Sequence, residues 1–351
     1  MSRHVLFDRS ALRLLPLAER RHDLTADVVM PLAPAPDVSE GFRRAGAALL
    51  RAREKGAARI LMMGAHVLRK GCQRYLIDLM RRGHVSCLAV NGAGVIHDYE
   101  LALAGATTES VARYIREGQF GLWRETGGLN DIVAAGAARG LGVGEAVGEA
   151  LAGSDAPHRE ISVLAAAWEL GVPVTAHVGI GYDIVAEHPN FDGAAWGKAS
   201  YTDFLVFAAE VQRLEGGVIM NFGSAVMAPE IFLKALAMAR NAAAREGKEI
   251  RRITSLVCDL RELPADVSAE APKTSAAYYY RPWKTMLVRT VADGGQALYE
   301  RGDHALTVPR LWTALREADA GEPECSEAAA RPGFAPATAR KDTRAACRNM
   351  F

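Results

Sequence analysis

Between Met63 and Gly105 the chain reads strand end, loop, helix, strand, glycine-bearing loop, helix, and that order leaves few folds open. Ile60–Gly64 (ILMMG) is an unbroken apolar run, the pattern of a strand covered on both faces. Tyr75, Leu76, Leu79 and Met80 then recur at helical spacing, with Arg74, Asp78 and Arg81 on the other side, and Gly83 ends the helix. Val85–Val90 is a second buried strand, and Asn91-Gly92-Ala93-Gly94 opens directly into another helix. Small residues at such a point let a ligand approach the backbone, and a helix start offers free N–H groups to an anion. The same residues also suit a plain tight turn, because the spacing lacks the GxGxxG fingerprint.

The alternation continues along the chain. Residues Met1–Asp37 mix basic and apolar side chains, with a short helical turn at Pro16–Arg21, and end in the linker PLAPAPD. They read as an arm that packs on a neighbour or on the chain's own body. Ser39 caps a helix running to about Lys55. Thr107 or Thr108 starts a helix that Gly118 stops, and the Ala/Gly-rich stretch to Gly153 predicts closely packed helices. His158–Gly171, Tyr201–Leu214 and Pro229–Glu246 read as helices; Val174–Val178, Gly217–Phe222, Ile253–Asp259 and Lys284–Val288 read as strands. Helices alternating with short β-branched runs predict an α/β fold: a doubly wound, mostly parallel six-stranded Rossmann-like sheet with helices on both faces and right-handed crossovers. Residues 38–321 form one domain in this reading, and residues 322–351, rich in Ala, Pro, Arg and Thr, a disordered tail.

Bulk properties narrow the function. A chain of 351 residues can bury a large core. A net charge of +1 gives no bias toward nucleic acid or membrane surfaces. No apolar run approaches the roughly 18 residues of a membrane span, and the start lacks the apolar core of a signal peptide, so a reducing cytoplasm is the expected compartment. Five cysteines without a CxxC pair argue against a disulfide framework or a zinc ribbon, and Cys72, Cys87 and Cys258 read as small buried hydrophobes.

Open α/β sheets hold ligands beyond the carboxyl ends of their strands, so polar residues just after strands carry the chemistry. Those positions hold His66, Asn91 with His97 and Asp98, His177 with Asp183, Asn221 with Gly223 and Ser224, and Asp259. A cleft is expected where they converge. The loop His177–Lys198 has two histidines and three acids, and admits three readings. His177, Asp183, Glu187 and His188 could ligate a metal, although their spacing matches no metal signature. Alternatively the loop is a lid in which Asp183 or Asp192 pairs with a cationic substrate, or simply a hydrogen-bonded loop with Asp192-Gly193 as a turn. Phe120–Gly127 reads as a helix start with an ordinary surface salt bridge.

Three loops carry a family resemblance. Gly64-Ala65-His66 with Gly71-Cys72-Gln73-Arg74-Tyr75-Leu76, then Asn91-Gly92-Ala93-Gly94, and then GVIMNFGSAVMAP around Gly223 and Ser224 fall in the order seen in deoxyhypusine synthases. Over about Phe42–Leu315 the chain resembles a distant, bacterial-type relative of that family. The resemblance implies NAD as cofactor, with Ala65, His66, Asn91, Gly92, Ala93, Gly223, Ser224, Asp303 and His304 lining its site. It also implies a homotetramer with sites between subunits. Trp283-Lys284 stands where the family has its SWGK lysine, which gives Lys284 the nucleophile role, and Asp183 would hold a cationic amine beside His97. Aromatic neighbours (Tyr278 to Tyr280, Trp283) would desolvate that lysine, as imine chemistry needs. The letters WGK at Trp196-Gly197-Lys198 occur too early in chain order for this role. The family's acidic pair falls on Ile96 and His97, and its substrate histidine on Ala228, which implies a substrate other than the ordinary polyamine. The reaction so implied is an NAD-dependent transfer: a small amine is oxidised to an imine, its alkyl group is captured by Lys284, and a small-molecule acceptor takes it before re-reduction, as in homospermidine synthases. An NAD-dependent lyase or hydrolase, and a non-catalytic nucleotide-binding protein, are the alternatives.

Overall fold

Every residue of the run Arg59–Met63 is buried, and successive side chains turn to opposite faces of a sheet. Leu61, Met63, Leu88 and Val90 join one hydrophobic core, whereas Ile60, Met62, Cys87 and Ala89 join another on the far side. Strands sandwiched this way need apolar side chains at every position, hence their unbroken runs. Truncating Leu61 to alanine in such a setting costs about 2–5 kcal/mol.

The computed structural model describes residues 2–320. The elements are β1 (His22–Thr25), α1 (Glu40–Glu54), β2 (Arg59–Met63), α2 (His66–Arg69), α3 (Gln73–Arg81), β3 (Cys87–Asn91) and α4 (Gly92–Ala104). Then follow β4 (Ala106–Glu109), α5 (Val111–Glu117), α6 (Gly128–Arg139), α7 (Val143–Ala152), α8 (Val163–Leu170), β5 (Val174–His177) and α9 (Gly193–Val211). The chain continues with β6 (Val218–Phe222), α10 (Met227–Arg245), β7 (Thr254–Asp259), a π-helical segment (Pro282–Arg289), β8 (Gln296–Arg301) and α11 (His304–Ala320).

Six of the strands form one parallel sheet in the order β5-β3-β2-β6-β7-β8, as the α/β reading expects. The order reverses between β2 and β6, which makes their carboxyl ends the topological switch point. Register aligns the strand ends: Met63 lies opposite Phe222, Asn91 opposite His177, and Asp259 opposite Arg301. The polar residues after the strands therefore share one edge. Glycines set the spacing of the helices at the β5 side. A Cβ on Gly144 would lie 2.0 Å from the Val174 carbonyl oxygen, and one on Gly136 would lie 2.4 Å from Ala146 Cβ.

Several elements differ from expectation. Residues 106–109 form an antiparallel pair with β1 instead of starting a helix, and α5 begins after Ser110, which accepts a hydrogen bond from the Arg113 amide. The N-terminal arm thus packs on the chain's own body: Leu17 is buried with Tyr114 and Trp123. Lys284–Val288 lies in the π-helical segment, where Pro282 suits a helix start and Trp283, Met286 and Leu287 are buried. The sixth strand is instead β8, an edge strand in which only Leu298 is buried, so its apolar signal is weak. The helix expected from Tyr201 begins eight residues earlier at Gly193, and Asp192 caps it by accepting from the Ala194 and Ala195 amides. Asp78, expected on the polar side of α3, is buried and accepts a hydrogen bond from Trp312 Nε1. The tail from 322 onward lies outside the described residues. No helix among the described residues is long and apolar enough to cross a membrane.

Candidate functional site

Asn91 ends β3 and caps α4, its side chain accepting from the Gly94 amide. The glycine that follows is approached closely, but by the chain itself: a Cβ on Gly92 would lie 2.1 Å from Asp183 Oδ2. Asp183 lies on the loop after β5, and its Oδ2 accepts from the Gly179 amide at 2.8 Å. Burial pushes this carboxyl above its usual range, against that hydrogen bond.

Beside Asp183 opens a cavity of about 280 Å³, lined among others by Arg69, Ala93, His97, Thr108 and Asp183. His97 is half-buried in the second turn of α4, with Nδ1 2.8 Å from Thr107 Oγ1. Burial lowers it to about 4, so the imidazole is neutral near pH 7. Under it lies a buried ion pair in which Arg20 donates through Nη1 and Nη2 to the two oxygens of Glu100, each at 2.8 Å. Thr107 and Thr126 each donate to Glu100 at 2.6 Å. Burial would raise Glu100, but Arg20 and the two hydroxyls outweigh it and hold the carboxyl below its usual range. Glu109 accepts from the Gly121 amide at 3.0 Å and from Trp123 Nε1 at 2.8 Å, and burial raises it. Residues expected at an exposed helix start thus belong to the buried floor of this cavity.

Two groups on the cavity wall are left over. Thr108 has φ 62°, a left-handed conformation that β-branched residues rarely adopt, and its buried Oγ1 has no hydrogen-bond partner among the described residues. Strain of this kind costs about 1–3 kcal/mol and clusters at functional sites. Arg69 makes no ion pair among the described residues; its Nη1 lies 3.4 Å from His66 Nε2, and its buried Nε has no partner.

The switch point gathers a second set of the expected residues. Gly64 and Gly223 form a floor without side chains, where a Cβ on Gly64 would lie 2.7 Å from the Gly223 carbonyl oxygen. Gly223 has φ 68°, and His304 Nε2 lies 2.2 Å from where its Cβ would be. Asp303 caps α11 through the Ala305 amide and pairs with Lys70 Nζ at 2.6 Å. Slight burial works against this carboxyl, yet Lys70 and that amide hold it below its usual range. Ser224 is structural: its Oγ accepts from the Ala228 amide and its own amide donates to Asn221. A further cavity of about 370 Å³ lies beyond β5, lined by His177, Tyr182 and Phe204 among others.

Other expected residues separate from these groups. Lys284 lines neither cavity; its Nζ lies 4.1 Å from the centroid of the Tyr278 ring. Asp98 is buried at the start of α8, where it accepts from Ser162 Oγ and from the Val163 and Leu164 amides. His188 points its Nε2 at the Gly121 carbonyl, and among the described residues no group of three or more His, Cys, Asp or Glu is arranged to hold a metal. The reading of a metal bound by His177, Asp183, Glu187 and His188 therefore loses its support. Sequence reasoning missed Arg20, Arg69, Glu100, Thr108 and Glu109. Only Glu100, an acid inside the apolar run Tyr99–Ala102, carried a signal of burial.

No family model matches the chain, and no curated protein matches it. Solved structures that the chain matches include a conserved putative LOR/SDH protein from Methanococcus maripaludis S2, with 14% identity and a TM-score of 0.48, covering 83% of this chain and 74% of that one. Unliganded AgrE is 16% identical with a TM-score of 0.47, covering 82% of this chain and 34% of that one. ArgZ, an arginine dihydrolase from the ornithine-ammonia cycle in cyanobacteria, is 14% identical with a TM-score of 0.43, covering 79% of this chain and 32% of that one. The chain spans about a third of the length of AgrE and ArgZ.

Proposed function

We propose that the chain is an NAD-dependent enzyme that oxidises a small amine held in the cavity beside Asp183. The observation that carries this reading is the placement of that cavity on the carboxyl edge of the sheet, beside the segments that follow β2, β3 and β5. Open sheets with this strand order bind dinucleotides across such a crevice. A cavity of about 280 Å³ suits a small metabolite, so a dinucleotide must lie outside it. At the switch point His304 is seated on Gly223, and the exposed polar atoms of Asp303, Lys70 and His66 around it are what fits that group. Ala65, His66, Gly223, Asp303 and His304 would hold the dinucleotide, with the Asp303 carboxylate suited to ribose hydroxyls.

When bound, NAD supplies the electron acceptor for the carbon next to the amine. The chain's own residues do the rest. Asp183 receives the ammonium and is the carboxylate placed to take its proton; burial, which holds it above its usual range, makes it a stronger base than a free carboxylate. His97 stays neutral and hydrogen-bonds without adding charge. Apolar walls at Ile96, Phe120 and Ile184 exclude water from the reacting carbon. The transfer step implied by the resemblance requires Lys284 at the amine. Its ammonium sits over Tyr278 instead, so the proposal stops at oxidation.

Denaturing the purified protein and analysing the released ligand by absorbance and mass, followed by titration with NAD, tests the reading. Bound or titratable NAD, with nicotinamide reduction on adding a small amine, is the expected result. No NAD affinity and no reduction with any amine would overturn it.

A further inference from the structure

The cavity beside Asp183 is lined by charges of both signs, and most of them are already committed. Arg20 and Glu100 neutralise each other through two hydrogen bonds. Both oxygens of Glu109 are taken by Gly121 and Trp123. What is left is one cation and one anion: Arg69, which pairs with no carboxylate among the described residues, and Asp183, whose Oδ2 alone is hydrogen-bonded. The unpartnered Thr108 hydroxyl, held in strained backbone, lines the same cavity. Between these polar groups the wall is apolar, from Ile96, Val111, Phe120 and Ile184.

We infer that this site takes a zwitterionic amino acid with a short alkyl side chain, its carboxylate received by Arg69 and Thr108 and its ammonium by Asp183. The inference rests on the proposed amine site and narrows its substrate class. A simple amine would leave the Arg69 guanidinium against an alkyl chain, and a simple acid would leave the Asp183 carboxylate there. Either leaves a charge removed from water without a partner, which is the arrangement that discriminates most strongly between analogues. The α-carbon hydrogen of such a substrate is the one next to the amine, so the substrate class and the proposed oxidation agree.

Calorimetric titration with L-norvaline, pentylamine and pentanoate, with and without saturating NAD, tests this. The three have equal numbers of carbon atoms in an unbranched skeleton and differ in their charged groups. Norvaline is expected to bind about tenfold or more tighter than either single-charge analogue, the loss that follows a missing charged hydrogen bond. Arg69→Ala should weaken norvaline and pentanoate and leave pentylamine unchanged, with Arg69→Lys restoring part of the loss. Asp183→Asn should weaken norvaline and pentylamine alone. Equal affinity for norvaline and pentylamine, an Arg69→Ala effect that falls on all three alike, or no binding of any of them would overturn the inference. Norvaline discrimination in a protein that binds no NAD would keep this site and remove the oxidation. NAD binding without discrimination would keep the cofactor reading and remove this one.

Discussion

Two strand ends of this sheet are floored by glycine, Gly92 after β3 and Gly223 after β6, and each has a side chain of the chain's own seated on it. On Gly92 it is the Asp183 carboxylate; on Gly223 it is the His304 imidazole. The surroundings differ. Around His304 the polar groups are paired, with Nδ1 on Thr307, Asp303 on Lys70 and Ser224 on Asn221. Around Asp183 there is a cavity whose wall keeps a strained threonine and an arginine without an ion-pair partner among the described residues. A glycine at a strand end therefore marks a close approach of something to the backbone, and only the neighbours tell whether that something is protein or ligand. In the proposed reading the β3 end takes the substrate and the β6 end the dinucleotide.

The strongest break of this contrast is Arg20→Ala, which leaves Glu100 buried without its cation beneath the β3 cavity. A loss of about 3–5 kcal/mol in urea unfolding is expected. A loss under about 1 kcal/mol would mean that the floor of the cavity does not depend on the pair. Next in size is Gly223→Ala, at φ 68° with His304 Nε2 in the path of the new methyl. It should cost about 1–3 kcal/mol and abolish NAD binding while norvaline binding survives. Equal loss of both ligands would merge the two regions into one site.

A third test uses pH. His97 is depressed in the folded state to about 4 from an ordinary 6.5. Stability from a group whose folded value is depressed is complete above its unfolded value and fades as pH falls toward the folded one. The contribution of His97 is thus whole above pH 6.5 and lost between 6.5 and 4. His97→Gln should flatten the decline in unfolding free energy across that window, with His84 and His177, also lowered to about 4, keeping a residual slope. An unchanged slope would show His97 to be accessible to protonation in the folded protein. The smallest effect is expected of Lys284→Ala, which removes one cation–π contact worth about 1 kcal/mol or less. Amine oxidation should be unchanged; its loss would return the lysine to the reaction and favour the transfer mechanism.

Much of the fold was legible in the order of residues, because strands buried on both faces need continuous apolar runs and the helices between them need a 3.6-residue period. Ile60–Gly64, Gly217–Phe222 and the Ser39 cap were readable for that reason. The sixth strand was not, since the edge strand Gln296–Arg301 buries one side chain and the more apolar TMLVR is wound into a helix behind Pro282. Of the candidate site, His66, His97, Asp183 and Gly223 were readable by their position after strands. Which of them share a cavity was decided by tertiary structure. Arg20 reaches Glu100 across 80 residues, and Gly92 meets Asp183 through a loop from another strand. Local periodicity reports only which face of an element is buried. The identity of the group across the gap is set by the register and order of strands far apart in the chain, so pairing, strain and leftover charge became visible only once the sheet was assembled.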